Sequence, residues 1–181
     1  YPDFNPPGFP PCPEQPCHIV NDDLSLGTVV SSELASMGNE DAQGDDDDGI
    51  TYPNDLKRGT QVRLQVEVTN NTGNDAYVYG WADWNDDGDF DDAGEQILSE
   101  TYDNATYSGV YTVSEPVFIP SDATITSSIP MRFRISTDQA ATNSPCGDGT
   151  CAPDGEVEDY IIQLTCPSAI CTPIQVGVKR D

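Results

Sequence analysis

Apolar and polar residues alternate in several short stretches of this 181-residue chain. In residues 61–69 every second side chain is aliphatic, and in residues 131–135 large apolar side chains alternate with arginines. Strict alternation is typical of a β-strand with one buried face, because successive side chains point to opposite sides of the strand. The side chains expected to face a core are Val62, Leu64, Val66, Val68, Met131, Phe133 and Ile135.

Other short segments are rich in β-branched and aromatic residues and are separated by turn-forming sequence. No window keeps the 3.6-residue period of a helix. Several short strands with polar turns between them are typical of an all-β fold, and we predict an antiparallel β-sandwich. The further predicted strands are residues 76–81, 97–100, 107–113, 116–119 and 158–164.

A strongly acidic segment, residues 83–95, follows the predicted strand 76–81. It offers side-chain oxygens at alternate positions, and Ca²⁺ binds about six to eight oxygen ligands. Gly88 is the sixth residue of the segment, the position where a calcium-binding loop turns sharply. We therefore predict a calcium site with the ligands Asp83, Asn85, Asp87, Asp89, Asp91 and Glu95.

This segment, which we call the acidic loop, differs from the loop of an EF-hand. An EF-hand loop ends in a glutamate at its twelfth position, whereas here that position is Gly94 and Glu95 follows it. The preceding residues have the composition of a strand rather than a helix. The sequence thus favours a calcium loop carried by a β-strand. The alternative is an acidic turn without metal, in which so many like charges would repel one another.

A second acidic cluster lies in residues 44–49, where four aspartates stand between two glycines. A run of like charges is usually a solvated loop. Next to a strand, the same run is equally suited to bind a second cation, and the sequence leaves both interpretations open. The residues concerned are Asp45, Asp46, Asp47 and Asp48.

The overall charge of the chain limits the kinds of molecule that it is expected to bind. Seven basic and 32 acidic residues give a formal net charge of −25. Binding to nucleic acid needs the opposite sign, and an anionic membrane surface would repel the chain for the same reason. No apolar run approaches the ~18 residues that span a bilayer, so we predict neither nucleic-acid binding nor membrane insertion. Bound calcium would relieve part of the self-repulsion.

The six cysteines form three pairs with the same C-x4-C spacing, namely Cys12 and Cys17, Cys146 and Cys151, and Cys166 and Cys171. An even number in matched pairs predicts disulfides and an oxidising compartment, and we expect each pair to close locally. Zinc is the alternative, but zinc knuckles usually have C-x2-C spacing, and His18 is the only histidine. We interpret Tyr1 as the start of a processed, exported chain.

The two ends of the chain differ in composition from its body. The proline-rich residues 1–17 favour an extended polyproline II arm or a disordered linker. Apolar side chains alternate in residues 172–178, which predicts a strand that either folds back on its own sheet or is exchanged with a neighbouring subunit. We therefore divide the chain into an N-terminal arm (1–17), a β-sandwich (18–165) and a C-terminal strand and tail (166–181).

Residues 155–160 read Gly-Glu-Val-Glu-Asp-Tyr, and in this motif the chain resembles the GEVED domain family. The resemblance extends over about residues 18–165 and implies a secreted or surface β-sandwich module of bacterial extracellular proteins without catalytic activity. The segment 146–151 and both arms are not part of the family pattern. Further landmarks of the family occur here in order as His18, Leu26-Gly27, Glu33, Asp48-Gly49-Ile50, residues 80–90, Ala93-Gly94-Glu95 and residues 132–136.

The motif also predicts ion pairs. In a strand, Glu156 and Glu158 point to the same side. We favour pairing of these glutamates with Arg132 and Arg134 on a neighbouring strand, although they could instead ligate calcium together with the second acidic cluster.

The function favoured by these observations is a non-catalytic structural or adhesive module of the cell exterior. It would be a subunit of a surface filament, stabilised by calcium and disulfides and assembled into a homopolymer through its terminal arms. The alternative is a module of a larger surface protein that binds glycans or another ligand, with an aromatic platform of Trp81, Trp84, Tyr102 and Tyr107. A glycosidase using two carboxylates is disfavoured, because nothing singles out a pair.

Overall fold

The computed structural model describes Cys12 and residues 16–29, 47–125, 128–147 and 150–165 of the chain. These parts form ten β-strands and one single-turn helix, so the described residues are mostly β, with antiparallel sheets as predicted. In chain order they are β1 (Leu24–Leu26), β2 (Ile50–Thr51), β3 (Leu56–Lys57), β4 (Gln61–Asn70), β5 (Ala76–Ala82), β6 (Gln96–Tyr102), β7 (Gly109–Phe118), β8 (Ile129–Ser136), α1 (Gln139–Thr142), β9 (Glu156–Ile162) and β10 (Leu164–Thr165).

The first sheet is built on β4. This strand pairs with β7 along its whole length, in an antiparallel ladder that runs from Gln61 opposite Phe118 to Asn70 opposite Gly109. The other edge of β4 pairs with the short strands β1 and β2. The alternation predicted for residues 61–69 is confirmed, with the inward side chains of the strand buried or half-buried.

Strand β7 corrects one sequence prediction, because the two predicted strands 107–113 and 116–119 belong to one continuous strand. Pro116 lies opposite Arg63, and the Ile119 amide donates to the Thr60 carbonyl at 2.9 Å. Hydrogen-bonded pairs alternate along an antiparallel ladder. The missing N–H of Pro116 therefore falls at a non-hydrogen-bonded position, where proline does not interrupt pairing.

The second sheet has the strand order β6-β5-β8-β9, and all of its neighbours are antiparallel. A short parallel pair of β3 and β10 lies outside both sheets. The predicted strands 76–81 and 131–135 are confirmed as the central strands of the second sheet. The predicted last strand 158–164 is divided in the structure between β9 and β10.

The two sheets share one hydrophobic cluster, which is the arrangement expected of a sandwich. All three predicted inward side chains of β8 are buried in this cluster. The first sheet contributes Leu24, Leu26, Leu64, Val66, Val68 and Val117, and the second contributes Val78, Leu98, Met131, Phe133, Ile135 and Tyr160.

The opposite, outer face of the second sheet is also covered. Tyr79, Trp81 and Phe90 form a second buried cluster there, and the rings of Tyr79 and Trp81 stack with 6.1 Å between their centroids. Arg132 and Arg134 are buried as well. The sequence did not predict this second buried layer. Alternation along a strand shows which side chains share a face, but it does not show whether the opposite face is covered as well.

The disulfide pairing corrects another prediction. Cys12 is bonded to Cys146 and Cys17 to Cys151, so neither of these C-x4-C pairs closes locally. The segment around His18 runs parallel to the segment around Ala152, with a 2.9 Å hydrogen bond from the Ile19 amide to the Ala152 carbonyl.

Two segments that lie side by side in register bring equal cysteine spacings opposite each other. The C-x4-C spacing is therefore compatible with two disulfides that link neighbouring segments, just as it is compatible with two local disulfide rings. The remaining pair, Cys166 and Cys171, lies outside the described residues, as do most of the N-terminal arm and the predicted strand 172–178.

Candidate metal site

The acidic loop connects β5 to β6 and is fixed by two buried aromatic side chains. Trp84 packs into the hydrophobic cluster shared by both sheets, whereas Phe90 packs into the outer cluster beside Tyr79 and Trp81. The loop is thus anchored on both faces of the second sheet. Such anchoring holds the acidic side chains at one end of this sheet.

Two buried carboxylates organise the backbone of the acidic loop. Asp83 and Glu95, at its ends, are 1% and 2% exposed. The two Asp83 oxygens accept hydrogen bonds from the amides of Asp87 (3.2 Å) and Gly88 (3.0 Å). Glu95 Oε1 accepts from the Trp84 amide at 3.0 Å, and its Oε2 accepts from the Asp92 amide at 3.2 Å.

Burial, which disfavours the charged form, is the main cause of pKa shifts in these two groups. Desolvation raises the pKa of Glu95 to about 7, and the neighbouring Asp83 charge adds to the effect. Desolvation also raises the pKa of Asp83. A cation next to this pair would favour both ionised forms and would remove the cost of keeping two carboxylates close together.

The exposed rim of the loop carries a cluster of three aspartates. Asp87, Asp89 and Asp92 each present one carboxylate oxygen, and these oxygens lie within 4.8 Å of one another. The Asn85 amide group donates to Asp87 at 2.9 Å and also to Asp92. The structure therefore gathers hard oxygen donors of the kind that Ca²⁺ prefers.

The predicted ligand set and this cluster overlap without being identical. Asp87 and Asp89 were predicted and are brought together, whereas Asp92 was not predicted. Counting alternate positions selects Asp91, but the chain turns after residue 88, where Gly88 has φ 92°. Side chains at every second position lie on the same side only where the chain is extended. Because the loop turns, the alternating pattern did not predict that Asp92 would join the cluster. Ligation by the full predicted set stays a prediction.

Only part of the second acidic cluster lies in the described residues, since Asp45 and Asp46 do not. Asp48 accepts hydrogen bonds from the amide and the hydroxyl of Thr28 at 3.3 and 3.2 Å. Glu158 Oε1 accepts from the amides of Asp48 and Gly49, both at 3.1 Å. Burial raises the pKa of Glu158 to about 8, and the nearby aspartate charges contribute.

The predicted pairing of Arg132 and Arg134 with the motif glutamates is wrong. Arg132 lies opposite Asp159 in the β8–β9 ladder and forms a two-pronged ion pair with it, at 2.7 and 2.6 Å. Glu158 lies opposite Phe133, a core residue, and so faces the interior. Directly opposed residues of an antiparallel pair lie on the same face of the sheet. In this register the arginines therefore lie on the outer face and the glutamates on the inner face.

On the inner face, the motif glutamates hold the backbone of neighbouring segments. Glu156 Oε1 accepts a hydrogen bond from the Leu26 amide at 2.7 Å. Besides its bonds to residues 48 and 49, Glu158 accepts from the Tyr160 hydroxyl at 2.9 Å. The motif thus connects β9 to β1 and to the start of β2.

On the outer face, Arg134 binds the segment that carries the disulfides. It donates to the carbonyls of Ser144 (2.6 Å) and Ala141 (2.9 Å) and to Nε2 of His18. His18 Nδ1 donates to the Asp154 carbonyl at 2.8 Å, which leaves Nε2 as the acceptor. Burial and the Arg134 charge lower the pKa of His18 to about 4.

The lowered pKa of His18 predicts a loss of stability in mild acid. The folded pKa lies below the unfolded value of about 6.5, so the unfolded chain binds one more proton between these values. The contribution of neutral His18 to the free energy of unfolding is fully present above pH 6.5. As the pH falls from 6.5 towards 4, the free energy of unfolding decreases by about 3 kcal/mol. Urea unfolding at several pH values should show this decline in the wild-type protein and a smaller one in His18→Gln. Equal declines would contradict the assignment.

The aromatic residues proposed for a glycan platform do not form one. Trp81, Trp84 and Tyr102 are all buried, and Tyr107 is half-buried against Tyr102 and Tyr111. Buried rings contribute to the cores on the two faces of the second sheet and do not offer a flat surface to a sugar.

Comparison with known proteins agrees with the resemblance noted in the sequence. The described residues form a mostly β module that contains two disulfides, and such bonds indicate an oxidising compartment. Residues 77–163 match the model of the GEVED domain, so the resemblance is confirmed for this part, which is just under half of the chain. No curated protein matches the sequence. Among the described residues, no helix is long and apolar enough to cross a membrane.

Proposed function

We propose that the chain is a non-catalytic extracellular module with a structural or adhesive role, stabilised by calcium and by disulfides. In this proposal it is a subunit of a surface filament, and its terminal arms contact neighbouring subunits. The chemistry of the acidic loop supports a structural role for the acidic residues, because its buried carboxylates hold backbone amides in place.

The observation that carries the calcium proposal is the arrangement of the acidic loop. Two buried carboxylates shape its backbone, and three exposed aspartate oxygens converge within 4.8 Å on its rim. In a chain with a net charge of −25, this concentration of negative charge raises the free energy of the folded state unless a cation compensates it. Ca²⁺ is suited to oxygen-only ligands in an irregular, flexible loop.

Calcium affinity provides a direct test, for which the chain offers a matched control. Asp92→Asn removes a carboxylate charge from the convergent triad and should weaken Ca²⁺ binding at least tenfold in calorimetric titration. Asp86→Asn removes the same charge from an exposed residue of the same loop that belongs neither to the triad nor to the predicted ligand set, and it should weaken binding about twofold or less. Equal effects of the two substitutions would mean that general charge attraction, rather than a site, accounts for binding.

Thermal unfolding provides an independent readout of the same site. A ligand that binds only the folded state stabilises it in proportion to the logarithm of its concentration relative to the dissociation constant. Excess chelator should therefore lower the Tm of the wild-type protein, and excess Ca²⁺ should restore it. A melting curve that is identical with and without chelator would contradict a structural calcium ion.

Assembly through the terminal arms is supported by the alternating residues 172–178 and by the long strand β7, which pairs only with β4 among the described strands. An extended segment can add to such an edge and join subunits head to tail. Deleting residues 172–181 should leave a folded, calcium-binding monomer that no longer polymerises in sedimentation and electron microscopy. An intact chain that stays monomeric at high concentration would contradict this part of the proposal.

A further inference from the structure

Two places in the chain have the Asn-X-Ser/Thr pattern that directs N-glycosylation when X is not proline. They are Asn70-Asn71-Thr72 and Asn104-Ala105-Thr106. The pattern alone does not decide whether a sugar is attached, because the asparagine side chain must be accessible to the transferring enzyme. The structure distinguishes the two places clearly.

The first asparagine is inaccessible. Asn70, the last residue of β4, is fully buried. Its Nδ2 donates to the Asn74 carbonyl at 2.9 Å, and its Oδ1 accepts from the amide and the hydroxyl of Thr72 at 3.1 and 2.7 Å. Every polar atom of this side chain therefore has a structural role in the turn between β4 and β5.

The second asparagine lies in the loop between β6 and β7. Asn104 is half-exposed, and Ala105 and Thr106 are exposed. Within the part of the chain that the structure describes, neither the Asn104 side-chain amide nor the Thr106 hydroxyl has a hydrogen-bond partner. The backbone is nevertheless held, since the Asn104 amide donates to Asp75 at 2.9 Å and the Thr106 amide donates to the Asp103 carbonyl at 3.1 Å.

The surroundings of Asn104 leave room for an attached sugar. Asn104 lines an open depression of about 420 Å³ together with Asn71, Gly73, Ser108 and Gly109. Asn70 also lines this depression, but its side chain is fully buried. Amide and hydroxyl groups of this kind form hydrogen bonds with sugar hydroxyls. The depression lies where the β4–β5 turn meets the β6–β7 loop, and none of its lining residues belongs to the segments that carry the disulfides.

We propose that Asn104 is an N-glycosylation site of the exported protein. In this reaction the Asn104 side-chain nitrogen attacks the anomeric carbon of an oligosaccharide carried on a polyprenyl pyrophosphate. The new bond joins that carbon to the nitrogen, the bond from the carbon to the pyrophosphate oxygen breaks, and the nitrogen loses one proton. Polyprenyl pyrophosphate leaves with the electron pair. The proposal rests on export of the chain, which the disulfides indicate, and is independent of calcium binding and assembly.

The test is expression of the full chain, with a secretion signal, in cells that carry out this transfer on Asn-X-Ser/Thr acceptors. A known acceptor protein expressed in the same cells confirms that the transfer works. Intact mass and peptide mapping should show an added oligosaccharide on the peptide containing Asn104 and none on the peptide containing Asn70. Asn104→Gln and Thr106→Ala should each abolish the added mass, whereas Thr106→Ser should keep it.

Folding is monitored separately, because a misfolded chain would expose both asparagines. Asn104→Gln, at a half-exposed side chain without structural hydrogen bonds, should leave the Tm unchanged to within about 2 °C. The proposal is overturned if the acceptor control is modified and folded wild-type protein carries no sugar on Asn104. It is overturned equally if Asn70 is modified to the same extent as Asn104, since accessibility would then not be what selects the site.

Discussion

Gly155→Ala is expected to destabilise the folded protein severely, because two independent costs combine at this position. Gly155 has φ +76°, a conformation that costs an alanine roughly 1–2 kcal/mol. A Cβ atom at this position would also lie 1.9 Å from the Ile135 carbonyl oxygen. Since that oxygen belongs to the backbone of β8, the sheet itself would have to move, and we expect a total loss above about 4 kcal/mol.

Gly73→Ala is the matched control for this substitution. Gly73 has the same φ of +76°, but an added Cβ would meet no atom within 4 Å. Gly73→Ala should therefore lower the free energy of unfolding only by the cost of the positive φ, about 1 kcal/mol. Urea unfolding of both variants measures the difference, which isolates the close approach of residue 155 to β8. Equal losses would mean that the backbone conformation alone explains the requirement for glycine.

This close approach gives the first residue of the GEVED motif a physical reason. Gly155 brings the chain against the end of β8, and β9 then starts at Glu156 in register with Ile135. The register in turn directs Glu156 and Glu158 inward, where they bind backbone amides of the neighbouring segments. A glycine at the start of the motif and glutamates within it are therefore parts of one arrangement.

Removal of both described disulfides is expected to have the second large effect, and the effect should not be additive. Each bond joins residues 134 positions apart, and closing a ring of that size contributes about 5 kcal/mol in the chain-entropy model. Once one bond is formed, the other closes only a small ring of roughly 12 residues, which contributes about 3 kcal/mol.

Replacing either bonded pair by serines should therefore cost about 3 kcal/mol, since the remaining bond still closes the long ring. Replacing all four cysteines should cost about 8 kcal/mol, which is comparable with the whole stability of a typical domain. Urea unfolding of the two paired variants and the fourfold variant gives these values. Peptide mapping of the unreduced protein checks the pairing directly, and local C-x4-C rings would instead produce independent, equal losses.

The strands that the sequence determined are those in which alternation is complete. Residues 61–69 and 131–135 carry an unbroken period of two, and this period alone specifies which side chains are buried when a sheet covers one face. The acidic loop was recognisable for a similar reason, because the density of oxygen donors and the glycine at residue 88 are local features. Local patterns are sufficient where the property depends on neighbours along the chain.

The tertiary structure alone decided which segments lie next to one another. The pairing of Cys12 with Cys146, the ion pair of Arg132 with Asp159 and the inclusion of Asp92 in the aspartate cluster all depend on contacts that alternation and spacing do not encode. A shift of one residue in the β8–β9 register would exchange the inner and outer faces of β9. The physical reason is that register results from the packing of whole sheets, whereas the sequence pattern reports only the two faces of each strand.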